Sequence, residues 1–164
     1  GYPMASVHFQ NLLYRKCRPE DIDLIMELND SLRPGLVTYD ATYRFLTAPD
    51  HWLYAAIYQG RILGFLYGYA LSRLDRPQSM LYIHELAVVP AFQRQGIGTG
   101  LLTALKAECR RHHILKFFLY TSDTNQGANA LYRKLGGTVS AESQGHDTVY
   151  YFSTDQAEPP FPWD

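Results

Sequence analysis

The chain has 164 residues, of which 46% are hydrophobic and 14% aromatic, enough for the core of one globular domain without metal or disulfide support. Its formal net charge of −1 argues against general attraction to nucleic acids or anionic membranes. Cys17 and Cys109 stand alone without CxxC spacing, which argues against a zinc site or a disulfide framework and favours a reducing, cytoplasmic setting.

The first half of the chain predicts a strand, two helices and a strand hairpin. The helical segments have apolar residues at helical spacing, and Arg18-Pro19 with the acids that follow suits a helix start. Thr38 or Asp40 is expected near the start of the second helix, and Gln59-Gly60 forms the hairpin turn. The predicted elements are a strand over 9–17, helices over 18–30 and 38–50, and strands over 51–58 and 61–74.

The second half alternates strands and helices. Its predicted elements are a strand over 79–89, a helix over 98–112, a strand over 114–122, a helix over 125–137, and a last strand pair over 137–142 and 146–154. The resulting order, β-α-α-β-β-β-α-β-α-β-β, predicts a mixed α/β fold. We expect a mostly antiparallel, twisted sheet of six to seven strands, with one βαβ unit at its heart and flanking helices.

The ends of the chain are expected to lie outside this fold. Residues 1–6 are interpreted as an expression remnant or a disordered start, and residues 156–164 as an irregular, proline-rich acidic tail. Residues 7–155 are then expected to form a single domain. The most apolar region is interrupted by the predicted turn at Gln59-Gly60, so no membrane span is expected.

The stretch His84–Leu102, "HELAVVPAFQRQGIGTGLL", joins a strand to a helix through a glycine-rich loop. A helix start offers unsatisfied N–H groups and a positive dipole end, and glycines let an anion approach the backbone. A Walker loop is excluded because no lysine follows the glycines, and Leu101 stands where a dinucleotide fingerprint needs glycine. The alternative is a turn that only makes room for packing.

Two separated motifs resemble the GCN5-related N-acetyltransferases (GNAT), which bind acetyl-CoA. The run Gln93-Arg94-Gln95-Gly96-Ile97-Gly98 is similar to the Q/R-x-x-G-x-G/A signature. The second motif of the family, "NxxAxxLYxxxG", is matched by Asn125, Ala128, Leu131-Tyr132 and Gly136. Both motifs stand in the expected order and strand–helix context, and the resemblance covers nearly the whole chain. It implies the GNAT fold and an acetyl-CoA cofactor.

The resemblance implies roles for the matching residues. The strand end at Leu86, Ala87 and Val88 is expected to offer backbone groups to the pantetheine arm, and Tyr132 to protonate the leaving thiolate or to stabilise it by a hydrogen bond. Glu85 is the expected general base, with His84 or a water chain as the alternative, and Asn125 is expected to cap its helix, to bind pantetheine, or both. The residues expected to bind the cofactor are Leu86, Ala87, Val88, Gln93, Arg94, Gln95, Gly96, Ile97, Gly98, Thr99, Asn125 and Tyr132.

A closer resemblance points to the small aminoglycoside 3-N-acetyltransferases. It rests on Arg76-Pro77-Gln78-Ser79, Tyr82-Ile83 and Glu85–Val88, with glutamate in place of their aspartate. A polycationic acceptor needs carboxylates and aromatic walls. Asp155 matches a tail aspartate, but Ser153 stands where a second acid is expected. The candidate substrate residues are Glu85, Tyr82, Asp40, Asp147 and Asp155, with Glu158 and Asp164 in the tail and Tyr150 or Tyr151 as further walls.

The predicted function is therefore an acetyl-CoA-dependent transfer to a primary amine, the 3-amino group of an aminoglycoside, in a ternary complex. The alternatives are acetylation of a polyamine or a peptide N-terminus, or a CoA-binding regulatory domain without turnover. Retention of Glu85 and Tyr132 argues against the regulatory domain, since a mere binder needs neither. A homodimer that pairs through the C-terminal strand "VYYF", residues 149–152, is a further expectation by analogy.

Overall fold

The computed structural model describes residues 11–31, 37–141, 143 and 145–155. The described strands are β1 Leu13–Lys16, β2 His51–Tyr58, β3 Arg61–Leu71, β4 Ser79–Val88, β5 Ile114–Ser122, β6 Thr138–Val139 and β7 Asp147–Ser153. The described α-helices are α1 Ile22–Met26, α2 Leu28–Ser31, α3 Tyr39–Thr47, α4 Ile97–Arg111 and α5 Gln126–Lys134, and short 3₁₀ helices span Pro19–Asp21 and Pro90–Phe92. Within this part of the chain, no helix is long and apolar enough to cross a membrane.

One sheet contains the seven described strands in the order β1-β2-β3-β4-β5-β7-β6. β4 and β5 are parallel and joined through α4, whereas β1 pairs antiparallel with β2, and β7 pairs antiparallel with both β5 and β6. The mixed α/β fold with a mostly antiparallel sheet and one βαβ unit is therefore confirmed.

The predicted helix over residues 18–30 is the clearest local error. It is divided into the 3₁₀ helix, α1 and α2. Leu28 is buried with Ile25, while Asn29 turns to the backbone of Val37, donating to its carbonyl oxygen at 2.8 Å and accepting from its N–H at 2.9 Å. The interruption itself falls at Glu27, between α1 and α2, and helical spacing of apolar residues does not reveal it.

The described residues pack as two compact units. Unit 1 contains the residues up to Tyr67 together with Leu86–Leu101, and unit 2 contains Gly68–Glu85 together with the residues from Leu102 onward. In unit 1, α1 to α3 cover a buried cluster of Cys17, Ile25, Leu28, Leu53, Ala55, Ile57, Ile62 and Phe65.

In unit 2, the aromatic rings of β5 and β7 stack in the core. Phe117 and Phe152 lie 4.8 Å apart between ring centroids, and both are buried. Gly137 is required there, because a Cβ atom at that position would lie 2.5 Å from the Phe152 ring. β7 is flanked by β5 along its length and by β6 at Tyr150 and Tyr151, so this part of "VYYF" is an interior strand. The homodimer remains a prediction.

Candidate functional site

The glycine loop begins where β4 ends. After the 3₁₀ helix Pro90–Phe92, Arg94 and Gly96 both have left-handed backbone conformations, with φ of 63° and 85°. The Gln93 amide donates to the Val88 carbonyl at 3.1 Å, and the Gln95 amide donates to the Ala91 carbonyl at 3.4 Å. The two glutamine side chains therefore stabilise the loop conformation by bonding its own backbone, a role that the sequence motif does not predict.

The loop leads directly into α4, as the sequence predicts. Ile97 is its first residue and is buried, and the first backbone bond of the helix joins the Gly100 N–H to the Gly96 carbonyl at 2.9 Å. The preceding N–H groups, of Ile97, Gly98 and Thr99, have no intrahelical acceptor and lie at the positive end of the helix dipole. Together with the exposed Arg94, they offer donors to an anion.

Space for a ligand is left open at Gly96. A Cβ atom built there meets no atom within 4 Å, whereas one at Gly64 on β3 would lie 2.9 Å from the Ile97 side chain. Gly64 therefore lets α4 pack closely on β3, while Gly96 supplies a backbone conformation. The open approach, the left-handed glycine and the helix start all fit the pyrophosphate of CoA.

The last residues of β4 are not paired with β5. The parallel register runs from Ser79 with Ile114 to Ile83 with Leu119, while β4 continues to Val88. Burial alternates along β4 as far as His84, and the residues from Glu85 to Val88 are all partly buried. Simple alternation therefore does not assign the face of Glu85. The backbone of Leu86–Val88 lies beyond the β5 ladder, where an extended ligand can find strand-like partners.

The two residues around the candidate base differ in exposure. Glu85 is partly buried, whereas His84 is exposed and its Nδ1 lies 2.9 Å from the Tyr82 hydroxyl. This hydrogen bond holds the His84 ring against Tyr82. Glu85 supplies the carboxylate that the family resemblance implies at this strand position, and it stays the predicted base.

Tyr132 on α5 is only 7% exposed. Its ring lies 5.4 Å from Tyr150 and 6.0 Å from Phe152 between centroids. Burial, and secondarily the neighbouring Tyr150, raise the pKa of the Tyr132 hydroxyl above its ordinary value. The group therefore holds its proton at neutral pH and can act as a hydrogen-bond donor or acid.

The start of α5 is tied to the end of β5 by two asparagines. The Asn125 side chain accepts from the Ala128 N–H at 3.1 Å, which confirms the capping role. Asn129, which the sequence did not single out, donates to the carbonyls of Ser122 at 2.9 Å and Asn125 at 2.7 Å, and its own carbonyl accepts from the buried Tyr150 hydroxyl at 2.5 Å. The sequence signal that could have revealed this role is a polar asparagine in the middle of an amphipathic helix.

Tyr150 cannot form a wall of an acceptor site, because it is fully buried with its hydroxyl bound to Asn129. An alternative aromatic surface lies along β3, β4, β5 and β7 within unit 2, and we call it the aromatic face. Tyr82 lies 5.3 Å from Phe118 and Phe118 lies 5.2 Å from Tyr151 between ring centroids. The aromatic face consists of Tyr69, Tyr82, Phe118, Tyr120 and Tyr151, of which Tyr120 is 55% exposed, whereas Tyr151 is only 4% exposed and packs against Phe118.

The predicted substrate acids are not all brought together. Asp147 pairs with Ser122 at the end of β5, whereas Asp155 follows Thr154, whose N–H bonds Leu115 near the start of β5. The seven residues of β7 place its two ends roughly 20 Å apart. One small acceptor cannot contact both acids of one chain. Glu158 and Asp164 lie outside the described residues.

Asp40 lies in unit 1, on the exposed side of α3. With Tyr39, Tyr43 and Arg44 it lines an open surface depression of about 530 Å³. Both tyrosines are half exposed. The depression offers a carboxylate and two rings, which suits an amine-bearing ligand. All of its lining residues belong to unit 1.

Neither cysteine is arranged for covalent catalysis. Cys17 and Cys109 are free and buried, and burial raises the pKa of each thiol to about 12. The reactive form of a cysteine is the thiolate, which these pKa values suppress at neutral pH. An acyl-enzyme step through either thiol is therefore disfavoured.

Comparison with known proteins places this geometry in a family. An N-alpha-acetyltransferase of Sulfolobus acidocaldarius is 28% identical over 131 residues, 76% of this chain and 78% of the relative. The structure of an aminoglycoside acetyltransferase from an uncultured soil metagenomic sample is similar with a TM-score of 0.70 and 26% identity, over 83% of this chain and 97% of that one.

The fold is also shared with Arabidopsis thaliana NAA60, solved in complex with acetyl-CoA, with a TM-score of 0.67 and 15% identity over 87% of this chain and 98% of that one. The family model described as "Acetyltransferase (GNAT) family" matches residues 21–137, which include the glycine loop, Glu85 and Tyr132. The chain belongs to the GNAT family of acetyltransferases, whose cofactor is acetyl-CoA.

Proposed function

We propose that this enzyme transfers the acetyl group of acetyl-CoA to a primary amine of an aminoglycoside, at the 3-amino position, by direct attack in a ternary complex. The observation that carries the chemistry is the glycine loop at the start of α4, preceded by a strand end that extends beyond the β5 ladder. Bound acetyl-CoA supplies the thioester that the amine attacks and the thiolate that leaves.

The chain holds the cofactor mainly with backbone groups. The N–H groups of Ile97, Gly98 and Thr99 and the Arg94 side chain bind the pyrophosphate, and the left-handed Gly96 lets it approach. Leu86–Val88 bind the pantetheine amides as a strand would. Asn125, besides capping α5, is a candidate for a further pantetheine bond.

Glu85 removes the first of the two protons that the acceptor ammonium loses on becoming an amide. An aminoglycoside amine is an ammonium at neutral pH, so it needs a base before or during attack on the carbonyl carbon. The carboxylate also attracts the cation electrostatically before the reaction. The first proton passes from the ammonium to Glu85, directly or through water, and the free amine attacks; the second proton leaves the nitrogen to solvent as the C–N bond forms and the C–S bond breaks.

Tyr132 delivers a proton to the thiolate that leaves. Its raised pKa keeps the hydroxyl protonated, and protonation or hydrogen bonding of the thiolate prevents the reverse reaction. No covalent intermediate on the enzyme is needed, in agreement with the buried thiols of Cys17 and Cys109. The unpaired thiols also suit a reducing, cytoplasmic setting.

An aminoglycoside acceptor is supported by the chemistry of the aromatic face and by the solved relative at 26% identity. The rings of Tyr82 and Phe118 suit stacking on sugar rings, and Asp147, at the same end of the sheet as Glu85, supplies a second carboxylate for an ammonium. Asp40 is a candidate for the same purpose on α3. Asp155, at the other end of β7, is the weakest candidate.

Acetylation of a peptide N-terminus is the second candidate, favoured by the archaeal relative of 28% identity. The two functions are separated by measuring free-thiol release from acetyl-CoA with gentamicin, kanamycin, spermidine and a short peptide as separate acceptors. Turnover with gentamicin or kanamycin, and acetylation at the 3-amino nitrogen by NMR, is the expected result. Turnover with the peptide alone would replace the aminoglycoside assignment and keep the transferase chemistry.

A further inference from the structure

Gly100 lies in the first turn of α4, where glycine costs about 1 kcal/mol relative to alanine. The space its side chain would need is taken. A Cβ atom at this position would lie 2.0 Å from the Tyr14 hydroxyl oxygen, 2.4 Å from Cζ and 3.0 Å from Cε1. Gly100 is therefore present because Tyr14, from β1, places its hydroxyl against the helix.

The direction of a helical Cα–Cβ bond locates this hydroxyl. Every such bond tilts toward the helix N-terminus, so a side chain at position 100 covers the turn that precedes it. The Tyr14 hydroxyl occupies that place, next to the turn that begins at Gly96 and Ile97. This is the turn whose N–H groups lack intrahelical acceptors and bind the cofactor phosphates in the proposed function.

Tyr14 is held in place by the sheet and keeps its donor available. β1 pairs with β2 with Tyr14 opposite Ala56, and the Tyr54 hydroxyl donates to the Tyr14 carbonyl at 3.3 Å. Among the described residues, none hydrogen-bonds the Tyr14 hydroxyl, and burial raises its pKa. The group is thus a protonated donor at neutral pH, with an anion site beside it.

We propose that the Tyr14 hydroxyl is a further phosphate ligand of the CoA site, donating a hydrogen bond to a pyrophosphate oxygen held at the start of α4. The inference rests on the proposed use of this loop for CoA. Tyr14 lies outside both motifs of the family resemblance, about eighty residues before the loop along the chain, and reaches it only because β1 and α4 pack in the same unit.

The test is Tyr14→Phe, which keeps the ring packed and removes only the hydroxyl. A hydrogen bond to a charged group is worth about 1.5–3 kcal/mol, so the Kd of CoA is expected to rise by about tenfold or more. Calorimetry measures the Kd of CoA and of pantetheine, which has no pyrophosphate. The Kd of pantetheine is expected to change by less than about twofold, since its binding does not involve this bond.

Tyr54→Phe is the matched control, because it removes a neighbouring hydroxyl that bonds the β1 backbone. It should leave the Kd of CoA within about twofold of the unmodified enzyme. If Tyr14→Phe leaves the Kd of CoA unchanged, or weakens CoA and pantetheine equally, the phosphate role of Tyr14 is wrong. Failure of the unmodified enzyme to bind CoA would overturn the proposed function as well.

A second variant tests the geometry itself. Gly100→Ala forces the Tyr14 hydroxyl away, so it should also weaken CoA, and the loss should largely disappear when Gly100→Ala is made in a Tyr14→Ala background. Thermal melting of each apoenzyme accounts for any effect on folding. Equal losses from Gly100→Ala in both backgrounds would contradict the contact between Tyr14 and the phosphate turn.

Discussion

In the proposed function, the glycine loop of unit 1 and the aromatic face of unit 2 recognise ligands in different ways. The loop works through backbone: N–H groups at a helix start, a left-handed Gly96, and glutamine side chains that bond the chain itself. The aromatic face works through side chains, stacked across four strands. Backbone recognition requires particular residues at fixed spacing, so it leaves a readable motif, whereas stacked rings can be supplied by many combinations of positions.

The largest effect is expected from a substitution that removes the general base and leaves the glycine loop and the aromatic face unchanged. Glu85→Gln should lower kcat by about 10²–10⁴-fold, because the amide cannot accept the proton from the ammonium. The Kd of CoA should stay within about twofold, since the loop is unchanged. Thiol-release kinetics and calorimetry measure the two quantities, with the exposed Glu20→Gln as a carboxylate control. Unchanged turnover would direct attention to His84 or a water chain as the base.

Tyr132→Phe tests the acid at the other side of the transfer. Loss of the hydroxyl should lower kcat about 10²-fold with little change in the KM of the acceptor. Because its pKa is raised, the native hydroxyl keeps its proton to a higher pH than an ordinary tyrosine, so the alkaline decline in activity should lie at a higher pH than an ordinary tyrosine would give and be absent in the variant. Weaker CoA binding with unchanged kcat would show a packing role instead.

Gly96→Ala and Gly127→Ala form a matched pair that isolates the loop backbone. Alanine at Gly96 must adopt a φ of 85°, at a cost of about 1–2 kcal/mol, so CoA binding should weaken by about fivefold to tenfold or the free energy of unfolding should fall by a similar amount. Gly127 lies in α5 with open space around it, and alanine there should be neutral or slightly stabilising. Equal effects on CoA affinity would contradict a backbone role for Gly96.

The smallest effects are expected for the acids of unit 2. Asp147→Asn should raise the KM of an aminoglycoside by about threefold, since it removes one exposed carboxylate near the end of β5. Asp155→Asn should have the smaller effect, because it lies at the opposite end of β7. Steady-state kinetics at low salt measure both, and a larger effect for Asp155 would mean that the acceptor extends along the sheet.

The sequence correctly predicted the helix caps and the hairpin turn, which depend on interactions between neighbouring residues. Thr38 caps α3, Asn125 caps α5, and the turn at Gln59-Gly60 joins β2 to β3, because capping and turn formation depend on neighbouring residues. The interruption of the helix at Glu27 was not predicted, nor were the bonds of the Asn29 side chain to Val37, eight positions away. Tyr150 and Tyr151, the two alternative walls, are both buried, and the bond of the Tyr150 hydroxyl to Asn129 on α5 is a long-range contact that no local pattern indicates.

By itself, the sequence determined the family, the cofactor and the place of the glycine loop at the start of α4, because glycine spacing and helix starts act over a few residues. Tertiary structure decided which side chains distant in the sequence lie together and which lie apart. Tyr14 meets Gly100, Asn129 bonds Tyr150, and Asp147 and Asp155 lie at opposite ends of one strand. Such relations depend on strand order and register, and the free energy that sets register comes from burial across the whole sheet rather than from any short segment.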